Sequence, residues 1–248
     1  MQFHIIKSGI MTLFICTIII CGAFNAGAKD FSEFPQLNEG QKIRIGYLEG
    51  GPFLNYHQNL ITFVNGLVEL GWLNDPHFPE FSNTTKTRDV WKWLATHTKS
   101  DYLVFVEDGF YTNDWDKQLR SETRQKVLKR LGKNPDFDFM IAMGTWAGQD
   151  LANEKNQVQT MVFSSSDPVK AKIVKGAQYS GIDNLHARTD PTRYERQIRL
   201  FHDLIGFQKL GVAYEDSADG RIYAAIDDIR KVSQERGFEV LECFTLNT

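Results

Sequence analysis

Residues 137–168 constrain the fold more than any other stretch of the chain. Phe139-Met140-Ile141-Ala142-Met143 is a short, nearly unbroken apolar run, as expected for a strand buried on both faces. Gly144-Thr145 turns the chain, a helical stretch follows over 146–153, and Thr160-Met161-Val162-Phe163 reads as a second buried strand. That strand stops at Ser164-Ser165-Ser166-Asp167-Pro168. Such a strand–helix–strand unit implies a parallel sheet with right-handed crossovers. Ligands of open parallel sheets bind beyond the carboxyl ends of the strands. Both polar loops, Gly144-Thr145 with Trp146 and Ser164, Ser165, Ser166 with Asp167, sit at such ends. A helix beginning near Thr145 also turns free N–H groups toward the crevice, which suits a carboxylate or another anion.

The same alternation runs through the rest of the chain. Strands are expected over 42–48, 101–106, 209–214 and 238–244, and helices over 55–70, 87–98, 115–131, 190–204 and 220–236. Residues 76–81 read as a loop or short edge strand. A short helix is expected after Pro168, and 179–183 as a brief extended piece. Helix 190–204 has Tyr194, Ile198, Phe201 and Ile205 along one face. Gly50-Gly51 follows the first strand without the third glycine of a dinucleotide fingerprint. It serves as a tight strand-to-helix turn, as a ligand contact, or as both. The strand–helix alternation restarts near residue 180. The expected architecture is therefore α/β, with two Rossmann-like lobes on parallel sheets: a lead-in over 29–42, an N-terminal lobe over 43–178, and an incomplete second lobe over 179–248.

The first 28 residues differ from the remainder. Lys7 is their only formal charge, residues 9–24 are apolar or small, and Ala26-Gly27-Ala28 ends them as a small-residue cleavage site. This is the form of a secretory signal peptide, and it predicts a periplasmic or extracytoplasmic protein with no stable membrane insertion after cleavage. A retained anchor is the alternative. Cys16 and Cys21 lie in that segment, so the exported chain keeps only Cys243, expected in the core, and has no internal disulfide. A net charge of −3 gives no electrostatic case for a nucleic-acid partner.

Catalytic patterns are absent from the sequence. There is no G-x-S-x-G elbow, no phosphate loop and no metal-type histidine spacing among the six histidines. The chain is therefore read as a binder of a small molecule, not as an enzyme, with no cofactor and no metal. The serine cluster suits a binding loop, with Asp167 also capping the turn from Pro168. Trp146 has two readings, a stacking platform for a flat ligand and core packing. Tyr47, Phe53 and Tyr56 add aromatic surface at the same mouth. Asp183 completes the expected ligand-binding set of Gly50, Gly51, Gly144, Thr145, Trp146, Ser164, Ser165, Ser166 and Asp167.

Several of these pieces, in order, resemble one family. They are Ile45-Gly46-Tyr47, Asn65-Gly66-Leu67 with Leu70-Gly71-Trp72, Ala142-Met143-Gly144-Thr145-Trp146-Ala147-Gly148-Gln149, Val162-Phe163-Ser164 with Ser166-Asp167-Pro168-Val169, and Ser180-Gly181-Ile182. Together they resemble the ABC-transporter substrate-binding proteins that include tryptophan- and tyrosine-binding lipoproteins, over about residues 43–245. The resemblance implies a type I periplasmic-binding-protein fold, in which two lobes close on a small ligand, often an amino acid. It implies that the ligand's polar end meets the loops at Gly144-Thr145-Trp146 and at 164–167. An importer permease, or a membrane sensor protein, is the implied partner. Trp146 stands where the family usually carries proline, segment 102–111 is more elaborate, and the family's second lobe continues past the point matching Thr248.

Overall fold

The computed structural model describes residues 34–245. The expected signal peptide and the first five residues of the lead-in lie outside the described residues. Seven strands and seven helices are described: β1 (Ile43–Glu49), α1 (Tyr56–Glu69), α2 (Thr87–His97), β2 (Leu103–Thr112), α3 (Lys117–Arg130), β3 (Phe139–Met143), α4 (Thr145–Leu151), β4 (Gln159–Phe163), β5 (Leu185–Ala187), α5 (Arg193–Ile205), β6 (Lys209–Glu215), α6 (Ala218–Tyr223), α7 (Ile226–Arg236) and β7 (Glu239–Thr245). No described helix is long and apolar enough to cross a membrane.

The first five strands form one sheet in the order β2-β1-β3-β4-β5, every pair parallel. Alternation along the strands divides the core. Leu48, Met140 and Ala142 face one way, against Val127 of α3 and Ala147 and Leu151 of α4. Tyr47, Ile141 and Met143 face the other, against Leu60 and Val64 of α1 and Trp91 and Leu94 of α2. This double coverage explains the unbroken apolar run of β3: each residue meets a helix layer whichever way it points. Strands β6 and β7 pair in parallel as a second sheet, with Ile198 of α5 and Ile229 and Val232 of α7 packed on one face. Two parallel sheets with covering helices confirm the expected α/β class.

Several local expectations change. β5 joins the first sheet, so the second sheet starts at β6 and not near residue 180. Residues 179–183 are irregular, with a bend at 181–182 and a turn from 183, and the stretch after Pro168 is a run of turns without a helix. The helix expected over 220–236 is broken at Ala225, whose φ is 52°, into α6 and α7. Cys243 is exposed, because it points from the face of β7 that carries no helix. Phe201 and Ile205 of α5 are exposed as well. Trp115 falls outside α3: Asp116 caps that helix by accepting from the N–H groups of Gln118 (2.7 Å) and Leu119 (2.9 Å), leaving Trp115 in the preceding turn.

Candidate ligand crevice

The strand order reverses between β1 and β3, so the helices that follow them leave on opposite faces; in open α/β sheets a switch point of this kind is where ligands bind, beyond the carboxyl ends of the strands. Glu49, Gly50 and Gly51 lie at one wall, and Gly144, Thr145 and Trp146 at the other.

Gly144 has φ 89° and ψ 173°, a conformation open essentially to glycine alone. Its N–H donates to the Phe163 carbonyl (2.8 Å), which fixes the start of α4 against the end of β4. A β-carbon at this position would collide with the Tyr56 hydroxyl. Gly144→Ala is therefore expected to destabilise the protein by about 1–3 kcal/mol from backbone strain alone. Adding Tyr56→Phe should recover only the steric part. Urea denaturation of the single and double variants checks this, and an unchanged midpoint in Gly144→Ala would overturn it.

The Thr145 hydroxyl lies 3.2 Å from the Ser165 hydroxyl and accepts from the Ser166 N–H (3.4 Å). Ser164 has φ 54°, and its Oγ accepts from Asn59 Nδ2 (2.5 Å). Asp167 accepts from the N–H groups of Val169 and Lys170, both at 3.0 Å, as the turn cap expected of it. Lys170 in turn reaches Asp228 at the start of α7 (2.7 Å), tying the serine loop to the elements of the second sheet. Thr145, Ser164, Ser165, Ser166 and Asp167 thus form one polar rim.

The opposite wall is aromatic. Gly50 and Gly51 are covered by the ring of Trp115: a β-carbon on either would lie 2.7 or 2.6 Å from it. Close approach of an indole is thus a sufficient reason for both glycines. Trp115 also meets Trp146 edge to face, with centroids 5.6 Å apart. Trp146 is 8% exposed, nearer the core reading than an open platform. The Arg120 guanidinium covers its other side, 4.6 Å from the ring centroid, and donates to the Trp146 carbonyl (3.3 Å), to Gln149 (3.0 Å) and to the buried Asp150 (3.1 Å).

Three ionisable groups complete the crevice. Glu49 is 3% exposed and accepts from the Tyr47 hydroxyl (3.0 Å). Burial pushes its carboxyl up to about 7, only partly offset by hydrogen bonds from Tyr47, Thr87 and Thr112. Burial also raises the hydroxyl of Tyr56, with the Glu49 charge adding to the shift. Tyr223, from α6, stands beside Thr145 and is 44% exposed; partial burial of its hydroxyl, with the Asp219 charge, raises it to about 12. Neither Glu49, Tyr223 nor Trp115 was singled out by sequence as a site residue. For Glu49 a signal exists: it continues the inward face begun by Ile45 and Tyr47.

Asp183 is not brought to this crevice. It precedes β5, whose Leu185 aligns with Thr160 near the start of β4, so it lies at the amino end of the sheet. There it lines an open depression of about 560 Å³ with Gln159, Tyr179 and His186. Among the described residues, no group of three or more His, Cys, Asp or Glu is placed to hold a metal ion.

No known family's profile matches the chain, and no curated protein matches it. Solved structures do. The ABC domain from Streptococcus pneumonia, solved in complex with L-Trp, superposes with a TM-score of 0.57 at 17% identity, covering 83% of this chain and 58% of that one. A conserved domain protein from Vibrio cholerae O1 gives 0.55 at 15% identity, covering 84% and 58%. A periplasmic binding protein from Burkholderia mallei gives 0.50 at 10% identity, covering 84% and 47%. The chain thus spans about half to three fifths of the length of the structures it matches. Its parallel sheets, its switch-point crevice and these superpositions together give it the fold of the periplasmic solute-binding proteins.

Proposed function

We propose that the chain is an exported solute-binding protein that captures a small polar ligand in the crevice between β1 and β3 and delivers it to an ABC importer permease. One observation carries this reading: the four hydroxyl-bearing residues Thr145, Ser164, Ser165 and Ser166 meet at the switch point, beside the aromatic ring of Trp146. A polar rim beside an aromatic side chain suits an amphipathic small molecule. The pneumococcal domain is solved with L-Trp, which makes amino acids the first probes. Binding without chemistry is supported by the partners of the serines: the Ser164 hydroxyl is held by the Asn59 amide and Ser165 by the Thr145 hydroxyl, neither of which is a base.

The test is thermal unfolding of the full chain against a panel of L-amino acids, nucleosides and small carboxylates. A ligand at tenfold its Kd stabilises the native state by about 1.4 kcal/mol. That corresponds to roughly 3–6 °C for a chain of this size. Thr145→Ala removes the partner of both Ser165 and Ser166 and should abolish the shift. A flat response across the panel would count against solute binding, and a shift that survives Thr145→Ala would move the site elsewhere.

A further inference from the structure

The turn joining β2 to α3 gathers three unfavourable features in three consecutive residues. Asn113 is fully buried, and neither polar atom of its side chain meets hydrogen-bond geometry with a partner, although its amide is near enough to the Asp150 carboxyl to help hold it down. An orphaned buried amide is rare in a folded protein. Asp114 and Trp115 follow with φ of 47° and 62°. Few non-glycine residues adopt that region, and for a bulky side chain it is an outlier. Strain of this kind persists only where its surroundings impose it, and it clusters at ligand clamps and switch segments.

The main contacts that hold the turn against the crevice pass through Trp115. Its N–H donates to the Gly50 carbonyl (2.9 Å), its indole Nε1 donates to the Pro52 carbonyl (2.9 Å), and its ring lies on Gly50 and Gly51 and against Trp146. The docking is shallow, since Trp115 remains 43% exposed. The surface it covers is the β1 wall of the crevice, where an entering solute would lie.

We infer that Trp115 is a self-occupying gate: its indole holds the Gly50–Gly51 wall of the crevice, and a solute reaches that wall when the 113–116 turn carries the indole away. This rests on the solute-binding reading above. The docked indole competes with solute from within the chain, so apparent affinity is the intrinsic affinity reduced by the undocked fraction. Undocking relieves the left-handed backbone and opens the Asn113 amide to water, which lowers the opposition to the swing.

The test is calorimetric titration of the full chain and its Trp115→Ala and Trp115→Phe variants with L-tryptophan, L-phenylalanine, L-leucine and L-glutamate. Trp115→Ala should bind at least one probe about tenfold more tightly than the parent, by removal of the competing state. Trp115→Phe, which keeps a ring but loses the bond to Pro52, should fall between. If Trp115→Ala does not unfold cooperatively, Trp115→Phe against the parent decides the direction. Equal or weaker binding by the variants overturns the gate and leaves solute binding intact. No binding of any probe by any of the three proteins overturns both.

Discussion

Glu49→Gln should stabilise the protein at pH 8 by about 3 kcal/mol and leave it almost unchanged at pH 4. An unfolded glutamate ionises near 4.5, whereas burial holds the native Glu49 carboxyl protonated up to about 7. Between those values the native state keeps a proton that the unfolded chain gives up. Stability contributed by the neutral acid is therefore full below about 4.5, declines as pH rises through the window, and is lost above 7. A shift of this size corresponds to about 3 kcal/mol, at about 1.4 kcal/mol per pH unit. Glutamine keeps an acceptor for the Tyr47 hydroxyl and carries no charge at any pH, so this position should add no slope across the window. For a chain of this length the gain at pH 8 is roughly 6–12 °C in Tm. Thermal and urea unfolding of both proteins from pH 4 to 8 measures the two slopes. Equal slopes would mean that Glu49 ionises normally and is hydrated in the native state.

That carboxylate shows where sequence reasoning reached its limit. The strands were legible because parallel strands covered on both faces must be apolar at every position, and β3 and β4 are nearly so. The polar ends of those strands were legible for the complementary reason: a buried sheet can stop only where polar residues resume. Hence Gly144, Thr145 and the serine loop were found and do meet. Glu49 was missed because a carboxylate at a strand end ordinarily means solvent. Only its register with Tyr47 shows that it turns inward.

Other misses have equally local causes. Trp115 was counted into α3 because the cap at Asp116 was given no weight; a capping aspartate marks the residue before it as non-helical. The break at Ala225 carries no glycine or proline, so periodicity ran straight through it. Cys243 was expected in the core because its strand is apolar, but only one face of the β6–β7 pair carries helices. Asp183, the last residue of the expected extended piece 179–183, was counted with the ligand-binding set. The strand proper begins at Leu185, and a residue just before a parallel strand lies at the amino end, away from the ligand side.

Arg120→Met should be the most damaging single change near the crevice, with an expected loss of about 3–5 kcal/mol at pH 8. Asp150 sits on α4 with its side chain 3% exposed, and the Arg120 guanidinium is its ion-pair partner at 2.9 Å. Burial raises the Asp150 carboxyl above its ordinary range, and Arg120 is the first group that opposes the shift. Methionine fills similar volume and keeps an apolar contact on Trp146, but it leaves a buried carboxylate without its ion-pair partner, with only the more remote Arg124 charge and the Asn113 amide to offset burial. The carboxyl will then ionise still less readily, so the damage should shrink as pH falls toward 5 and the native state takes up a proton. Adding Asp150→Asn removes the charge altogether and should restore much of the loss at pH 8, because an absent ion pair costs far less than half of one. Urea denaturation of the parent, the two single variants and the double variant at pH 5 and pH 8 closes the cycle. A loss below 1 kcal/mol in Arg120→Met, or a loss that Asp150→Asn does not relieve, would show that the guanidinium acts through its roof over Trp146 and not through the buried carboxylate. The distinction bears on the crevice itself, since the arginine that neutralises Asp150 also holds the Trp146 carbonyl, and so fixes the first turn of the helix that presents Thr145.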